Sequence, residues 1–132
     1  MGVWEGFSRR FLALWDAQAA APGDAFPAAL FGDGAPAGAA ARRAAQQAFM
    51  QQLWQDSVGF GGAVILRRLV GIAHVADFDS IADPDVRAAC ERRAFQFGRR
   101  LLVDPAAVPG PRELVVLADS LRADGRQPYF PL

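Results

Sequence analysis

The spacing of the apolar residues is the feature that most limits the fold of this chain. Large apolar side chains recur at intervals of three and four residues in several separate segments, which is typical of helices with one buried face. Strand signals are nearly missing, because the best β-branched pair, Val115 and Val116, lies inside a helical pattern. The sequence therefore predicts an all-α fold of about five helices.

Breaks rich in glycine and proline divide the chain into these helices. Gly59, Gly61 and Gly62 predict an end to the second helix, and the third is apolar almost all round, so we expect it to be central and buried. Asp83 as a cap and Pro84 in the first turn predict the start of the fourth helix. The predicted helices cover about residues 3–19, 39–57, 62–74, 84–103 and 112–123.

Two stretches outside the helices are expected to be irregular. Ala20–Gly38 predicts a long loop, and the tail at residues 124–132 is expected to be extended. With 132 residues, of which 52% are hydrophobic, the chain suits one domain over residues 1–132. Because the buried-type third helix has few long neighbours to cover it, we expect this domain to be partial.

Charge and cysteine content exclude several classes of protein. Fourteen arginines balance 14 acidic residues, so the chain has no basic footprint for nucleic acid. Cys90 is the only cysteine, which leaves no disulfide framework. The longest apolar stretch, Gly59–Leu66, is far shorter than the roughly 18 residues of a membrane span, and the amino end does not match a signal peptide. We therefore expect a cytoplasmic protein with no membrane partner.

Two adjacent arginines, Arg67 and Arg68, interrupt the apolar third segment. Buried guanidinium groups without partners are very costly, so each should meet carboxylates or an anionic or polyhydroxylated ligand. Gly71 lies between their two stripes and would allow something to approach closely. The structural alternative pairs the arginines with nearby carboxylates, namely Asp77, Asp79 or Glu91.

The sequence signals for other candidate functional residues are weaker. His74 with Asp77 and Asp79 has the residue types of a metal cluster, but a lone histidine at a helix end is more often a cap or a buried hydrogen-bonding group. Cys90 fits a small core residue. Gly59–Gly62 lacks the Lys-Ser/Thr ending of a P-loop, so a close approach between helices explains it better. No catalytic residue and no metal ligand follow from these patterns.

Several long runs resemble the carboxyl-terminal part of S-methyl-5-thioribose kinases. The resemblance covers most of the chain from about Phe49 to Val103. It rests on the runs Gln52–Ala63 (QLWQDSVGFGGA), Leu66–Phe78 (LRRLVGIAHVADF), Ser80–Asp85 (SIADPD), Arg87–Ala94 (RAACERRA) and Gly98–Leu102 (GRRLL).

The resemblance implies an enzyme of methionine salvage that uses ATP and magnesium to phosphorylate methylthioribose at its anomeric hydroxyl. It implies a fold similar to choline kinases and aminoglycoside phosphotransferases, with a nucleotide-binding lobe and a larger, protein kinase-like helical lobe. Arg67 and Arg68 match the arginine pair of the family's methylthioribose site. His74 and Gly71 are supporting residues in this interpretation.

The chain also departs from the family pattern. Val64 stands where family members usually carry a lysine, and no His-Gly-Asp catalytic loop is present. Because phosphoryl transfer needs positioning, metal and a base, we expect the chain alone to be inactive and to bind neither ATP nor magnesium. Its expected partners are the missing N-terminal kinase portion and methylthioribose, and a homodimer is also open to it.

Two other interpretations remain. In the first, the chain is a stand-alone helical interaction module that binds a partner through the aromatic face of its first helix: Trp4, Phe7, Phe11 and Trp15. In the second, it is a small enzyme of its own that uses His74 with Asp77 or Asp79.

Overall fold

The structure is a computed structural model that describes residues 2–18, 26–32, 36–71 and 75–124. Within these ranges it contains no strand, which confirms the predicted all-α class. Short 3₁₀ turns lie at Ala28–Phe31 and Pro105–Ala107. The five α-helices are α1 at Val3–Ala17, α2 at Pro36–Val70, α3 at Ala76–Asp79, α4 at Pro84–Val103 and α5 at Pro111–Asp124.

The long helix α2 runs unbroken through the glycines that the sequence predicts to end it, so that prediction is wrong. A glycine inside a helix costs only about 1 kcal/mol relative to alanine, which packing can offset. At Gly62 a Cβ atom would lie 2.6 Å from the carbonyl oxygen of Gly98 and 2.7 Å from the amide nitrogen of Leu102. The glycine therefore permits α2 to cross α4 at close range, as the alternative interpretation of this segment predicts.

The boundaries of the loop and the tail differ slightly from expectation. Helix α2 begins at Pro36, so the last three residues of the predicted Ala20–Gly38 loop are helical. Proline is well suited to the first helical turn, and the alanine-rich residues that follow have high helix propensity. Residues 19–25 and 33–35 lie outside the described residues, as does the predicted extended tail beyond Asp124, which itself ends α5.

The start of α4 is as predicted. The Asp83 carboxylate accepts hydrogen bonds from the backbone amides of Asp85 and Val86, at 2.9 and 3.2 Å, and Pro84 opens the first turn. These bonds satisfy amides that have no partner within the helix. The helix ends at Val103, directly before Asp104 and Pro105.

The chain divides into two compact units, residues 1–53 and residues 54–132. In the first unit, α1 carries a ladder of aromatic rings that continues onto Phe49 of α2. Phe49 stacks on Phe11, with ring centroids 6.2 Å apart, and meets Trp15 edge-on at 5.2 Å. Aromatic pairs of this kind contribute about 0.5–1.5 kcal/mol beyond the area that they bury.

A polar clip made of Asp16, Arg42 and Gln46 joins the same two elements. The Asp16 carboxylate accepts hydrogen bonds from Arg42 Nη1 and Gln46 Nε2, each at 3.0 Å. Arg42 also donates from Nε to the carbonyl oxygen of Phe26, at 3.1 Å. Gln46 is only 2% exposed, so its bond to Asp16 is the partner that its buried position requires.

The second unit has its own apolar core, built from α2, α4, α5 and the segment between α4 and α5. Trp54 anchors it by donating from Nε1 to the carbonyl oxygen of Val108, at 2.6 Å, with both residues buried. Among the described residues of this unit, the buried apolar ones are Trp54, Val58, Leu101, Val108 and Leu121. In the described part of the chain, no helix combines the length and the apolar character that crossing a bilayer requires.

Candidate functional site

Arg67 and Arg68 lie in the last turn of α2, and both are exposed. The expectation that residues 62–74 form a separate, buried helix is therefore wrong for the part that the structure describes. Gly62 is buried where α2 crosses α4, but burial falls toward the end of the helix, where Val70 is 72% exposed. Long side chains at an exposed helix end keep their charge in water and pay no desolvation cost.

The structural alternative, in which carboxylates pair with the two arginines, finds no support among the described residues. Neither guanidinium takes part in an ion pair there, whereas Arg42 pairs with Asp16 and Arg122 pairs with Asp119. The carbonyl groups at the end of α2 favour nearby cations through the helix dipole. This end of the helix therefore presents two guanidinium groups, each with its donors available.

Gly71 closes the helix rather than leaving an open space beside it. Its amide donates to the carbonyl oxygen of Arg67 at 3.0 Å, and a Cβ atom at this position would collide with that same oxygen. Glycine is therefore needed for local backbone geometry. Gly71 thus directly follows the end of α2 at Val70, and its supporting role at the site stays a prediction.

The remaining candidates are placed only in part. His74 lies outside the described residues, together with residues 72 and 73. Asp77 and Asp79 are exposed on the single turn of α3. The described residues contain no group of three or more histidine, cysteine, aspartate or glutamate side chains that could hold a metal ion.

Cys90 is half-buried rather than fully packed in the core. Arg93, one turn further along α4, donates from Nη2 to its sulfur at 3.1 Å. Because both residues lie on the same helix, this contact holds the Arg93 side chain against the helix surface.

One surface feature is not predicted by the sequence patterns. On α4, Phe95 and Leu102 are 43% and 44% exposed, and they alternate along the helix with the exposed Arg92 and Arg99. The spacing of these four residues, which follows i, i+3, i+7 and i+10, places them on one face of the helix. That spacing is visible in the sequence and is the signal that could have revealed a mixed apolar and cationic surface.

These observations define an all-α segment, and the relatives of the chain are kinases, which makes it consistent with the carboxyl-terminal helical lobe of a kinase-like fold. No protein-family model matches the chain. The chain is, however, 39% identical over 113 residues to the methylthioribose kinase of Yersinia enterocolitica, a match that covers 86% of this chain and 24% of that protein.

Two further relatives carry the same name. The methylthioribose kinase of Pectobacterium carotovorum is 39% identical over 123 residues, which cover 93% of this chain and 26% of the relative. That of Yersinia pestis is 42% identical over 101 residues, which cover 76% and 21%. The chain thus spans about a quarter of the length of the curated relatives that it matches. The resemblance is confirmed: the chain is related in sequence to the carboxyl-terminal part of methylthioribose kinases.

Proposed function

We propose that this chain supplies part of the sugar-binding pocket of a methylthioribose kinase, which transfers the γ-phosphoryl group of ATP to the anomeric hydroxyl of methylthioribose. The relatives' name supports the activity, and the exposed arginine pair at the end of α2 supports the place of the pocket. The observation that carries the proposal is the match of Arg67 and Arg68 to the arginine pair of the family's methylthioribose site, and both guanidinium groups are exposed at the end of α2.

The two arginines have chemistry suited to this task. A guanidinium is permanently charged and offers five N–H donors in a planar fork, which suits sugar hydroxyls and phosphoryl oxygens. Successive helical positions differ by about 100°, so Arg67 and Arg68 point in different directions from the helix end. We assign one to direct contact with the sugar and the other to stabilising negative charge near the transferred phosphoryl group.

Nucleotide and magnesium belong to the upstream part of the parent enzyme in this proposal. The described residues of this chain offer no group of three metal-ligating side chains, and the sequence contains no His-Gly-Asp tripeptide. We therefore expect that the chain alone binds neither ATP nor magnesium and that it turns over no substrate. Its role is to hold the sugar while the upstream part supplies the remaining chemistry.

An activity assay with a matched control tests the proposal. The 132-residue chain should give no phosphorylated product from ATP and methylthioribose, whereas the chain joined to the upstream part of a methylthioribose kinase should give product. In the joined protein, Arg67→Ala and Arg68→Ala should each lower kcat/KM at least tenfold. Arg112→Ala removes another exposed arginine, on α5, and should leave kcat/KM within twofold. Equal effects of all three substitutions would contradict a pocket at the end of α2.

A second candidate, a helical interaction module, rests on the outer face of α1. Val3 and Leu14 are 93% and 61% exposed, and Phe7 is 44% exposed. Phe11 and Trp15, in contrast, already pack on Phe49 within the first unit, which leaves less of the aromatic face for a partner. Calorimetric titration separates the two candidates: binding of methylthioribose that Arg67→Ala abolishes supports the pocket, whereas partner binding that Phe7→Asp abolishes supports the module.

A further inference from the structure

Two apolar residues of α2, Phe60 and Val64, form a line that leads to the two arginines of the candidate site. Phe60 is 74% exposed, and Val64 is half-buried. Arg67 and Arg68 follow on the same unbroken helix, and both are exposed. Because each helical residue turns about 100°, Val64 lies between the two arginines around the helix, about 60° from Arg67 and about 40° from Arg68. Phe60 lies one turn earlier, about 40° from Val64. We call Phe60 and Val64 the apolar line.

The apolar line lies on the side of α2 that faces away from α4. Gly62 is buried where the two helices cross, and a Cβ atom there would meet the backbone of α4. Phe60 and Val64 lie two residues before and two residues after Gly62, so each is turned about 160° from it around the helix. The crossing with α4 therefore occupies the other side of the helix, and the Phe60 ring is left largely in solvent.

The distances along α2 suit a small ligand. Val64 precedes Arg67 by about 4.5 Å along the helix axis, and Phe60 precedes Val64 by about 6 Å. Side chains of a helix lean toward its amino end, so the two arginines extend back along the helix in the direction of the apolar line. A sugar whose hydroxyls meet the guanidinium groups can therefore lay a short substituent on Val64 and Phe60.

We propose that Phe60 and Val64 bind the methylthio group of methylthioribose and make the kinase selective for an apolar substituent over the hydroxyl that ribose carries at the same carbon. This inference rests on the proposed function, which places the sugar at Arg67 and Arg68. Thioethers pack favourably on aromatic rings. A hydroxyl placed against the same ring loses its hydrogen bonds to water without replacement. Phe60 and Val64 are therefore specificity-determining residues, and the chemistry at the anomeric hydroxyl does not involve them.

The mixed character of this face favours a ligand that is polar at one end and apolar at the other. An apolar protein surface laid across the face would bury two permanent charges without partners, which is costly. A ligand that is polar throughout would gain nothing from the ring of Phe60. Methylthioribose offers hydroxyls to the guanidinium donors and a thioether to the apolar line, so each part of the ligand meets a surface of matching chemistry.

A comparison of two sugars provides the test, performed on the chain joined to the upstream part of a methylthioribose kinase. The measured quantities are kcat/KM for methylthioribose and the inhibition constant of ribose as a competitor. Phe60→Ser should lower the first about tenfold and leave the second within about twofold, and Phe60→Leu should have a smaller effect. Val64→Thr exchanges a methyl group for a hydroxyl and should lower kcat/KM for methylthioribose about threefold. Val116→Thr is the matched control, at a position on α5 that is 67% exposed, and should change neither quantity.

The arginine variants separate this inference from the proposed function. If Arg67→Ala and Arg68→Ala lower kcat/KM but Phe60→Ser has no effect or weakens both sugars equally, the inference fails and the proposed function stands. If the arginine variants have no effect either, the pocket does not lie at the end of α2 and both fail. Urea denaturation of the joined protein checks the fold: a large loss of stability in both Phe60→Ser and Phe60→Leu would show that the ring packs against the upstream part, which also overturns the inference.

Discussion

Different kinds of contact stabilise the interior of each of the two compact units of this chain. In the first unit, large aromatic rings from α1 meet Phe49, and the partly buried polar clip of Asp16, Arg42 and Gln46 adds hydrogen bonds to the contact. In the second unit, glycines let the backbones of α2 and α4 approach so closely that no side chain fits between them at Gly62. The first arrangement depends on side-chain shape and hydrogen bonds, and the second depends on the absence of a side chain.

This difference predicts which substitutions each unit tolerates. A side-chain interface can lose a group and retain its other contacts, whereas a backbone crossing has no room for an added atom. The second unit should therefore be the more sensitive to a change as small as one methyl group. The exposed side chains of Arg67 and Arg99 take no part in its packing, so they are available to contact a ligand or a partner.

The largest expected effect is that of Gly62→Ala. A Cβ atom there would lie 2.6 Å from a backbone carbonyl oxygen, so α2 and α4 must separate, and we expect a loss of about 3 kcal/mol in the free energy of unfolding. Gly61→Ala is the matched control, because nothing lies within 4 Å of a Cβ atom at that position. It should stabilise the chain by about 0.5–1 kcal/mol through helix propensity. Urea denaturation followed by circular dichroism measures both, and equal effects would contradict the close crossing.

The contrast between neighbouring glycines also shows what can be predicted from the sequence. The cap at Asp83 and the proline after it are local signals, and α4 begins where they indicate. The role of Gly62 depends on Gly98, which is distant in the sequence, so the same glycines predict a helix break when only their neighbours are considered. Local propensity is overridden here by a tertiary contact.

The candidate site likewise has one part that the sequence predicts and another that depends on tertiary contacts. The sequence identifies Arg67 and Arg68 as the unusual residues of their segment, and the resemblance to methylthioribose kinases assigns them a role. Their exposure could not be predicted, because it depends on how far other helices extend along α2. An apolar segment indicates burial only where another element covers it, and Val70 is left exposed in the structure.

A smaller effect is expected in the first unit from Gln46→Ala. The substitution removes a hydrogen bond to the charged Asp16 carboxylate and leaves space at a position that is 2% exposed. We expect a loss of about 1–2 kcal/mol, less than for Gly62→Ala, because Arg42 still binds the same carboxylate. Gln47→Ala, at the exposed neighbouring position, should change the free energy of unfolding by less than about 0.5 kcal/mol. A larger loss for Gln46→Ala than for Gly62→Ala would reverse the comparison between the units.

The smallest expected effect is that of Arg67→Ala, and it is informative because it is small. Arg67 is exposed and has no ion-pair partner in the described part of the chain, so its removal should change the free energy of unfolding by less than about 0.5 kcal/mol. Arg42→Ala provides the contrast, since the Arg42 side chain is only 13% exposed and binds both Asp16 and Phe26. Arg42→Ala should lower the free energy of unfolding by about 1–3 kcal/mol.

The outcome decides how the activity data are interpreted. If Arg67→Ala proves as destabilising as Arg42→Ala, Arg67 stabilises the fold, and an effect of this substitution on activity would no longer indicate contact with the sugar. If the free energy of unfolding is unchanged while kcat/KM falls, the substitution acts on the contact with the ligand and not on the fold.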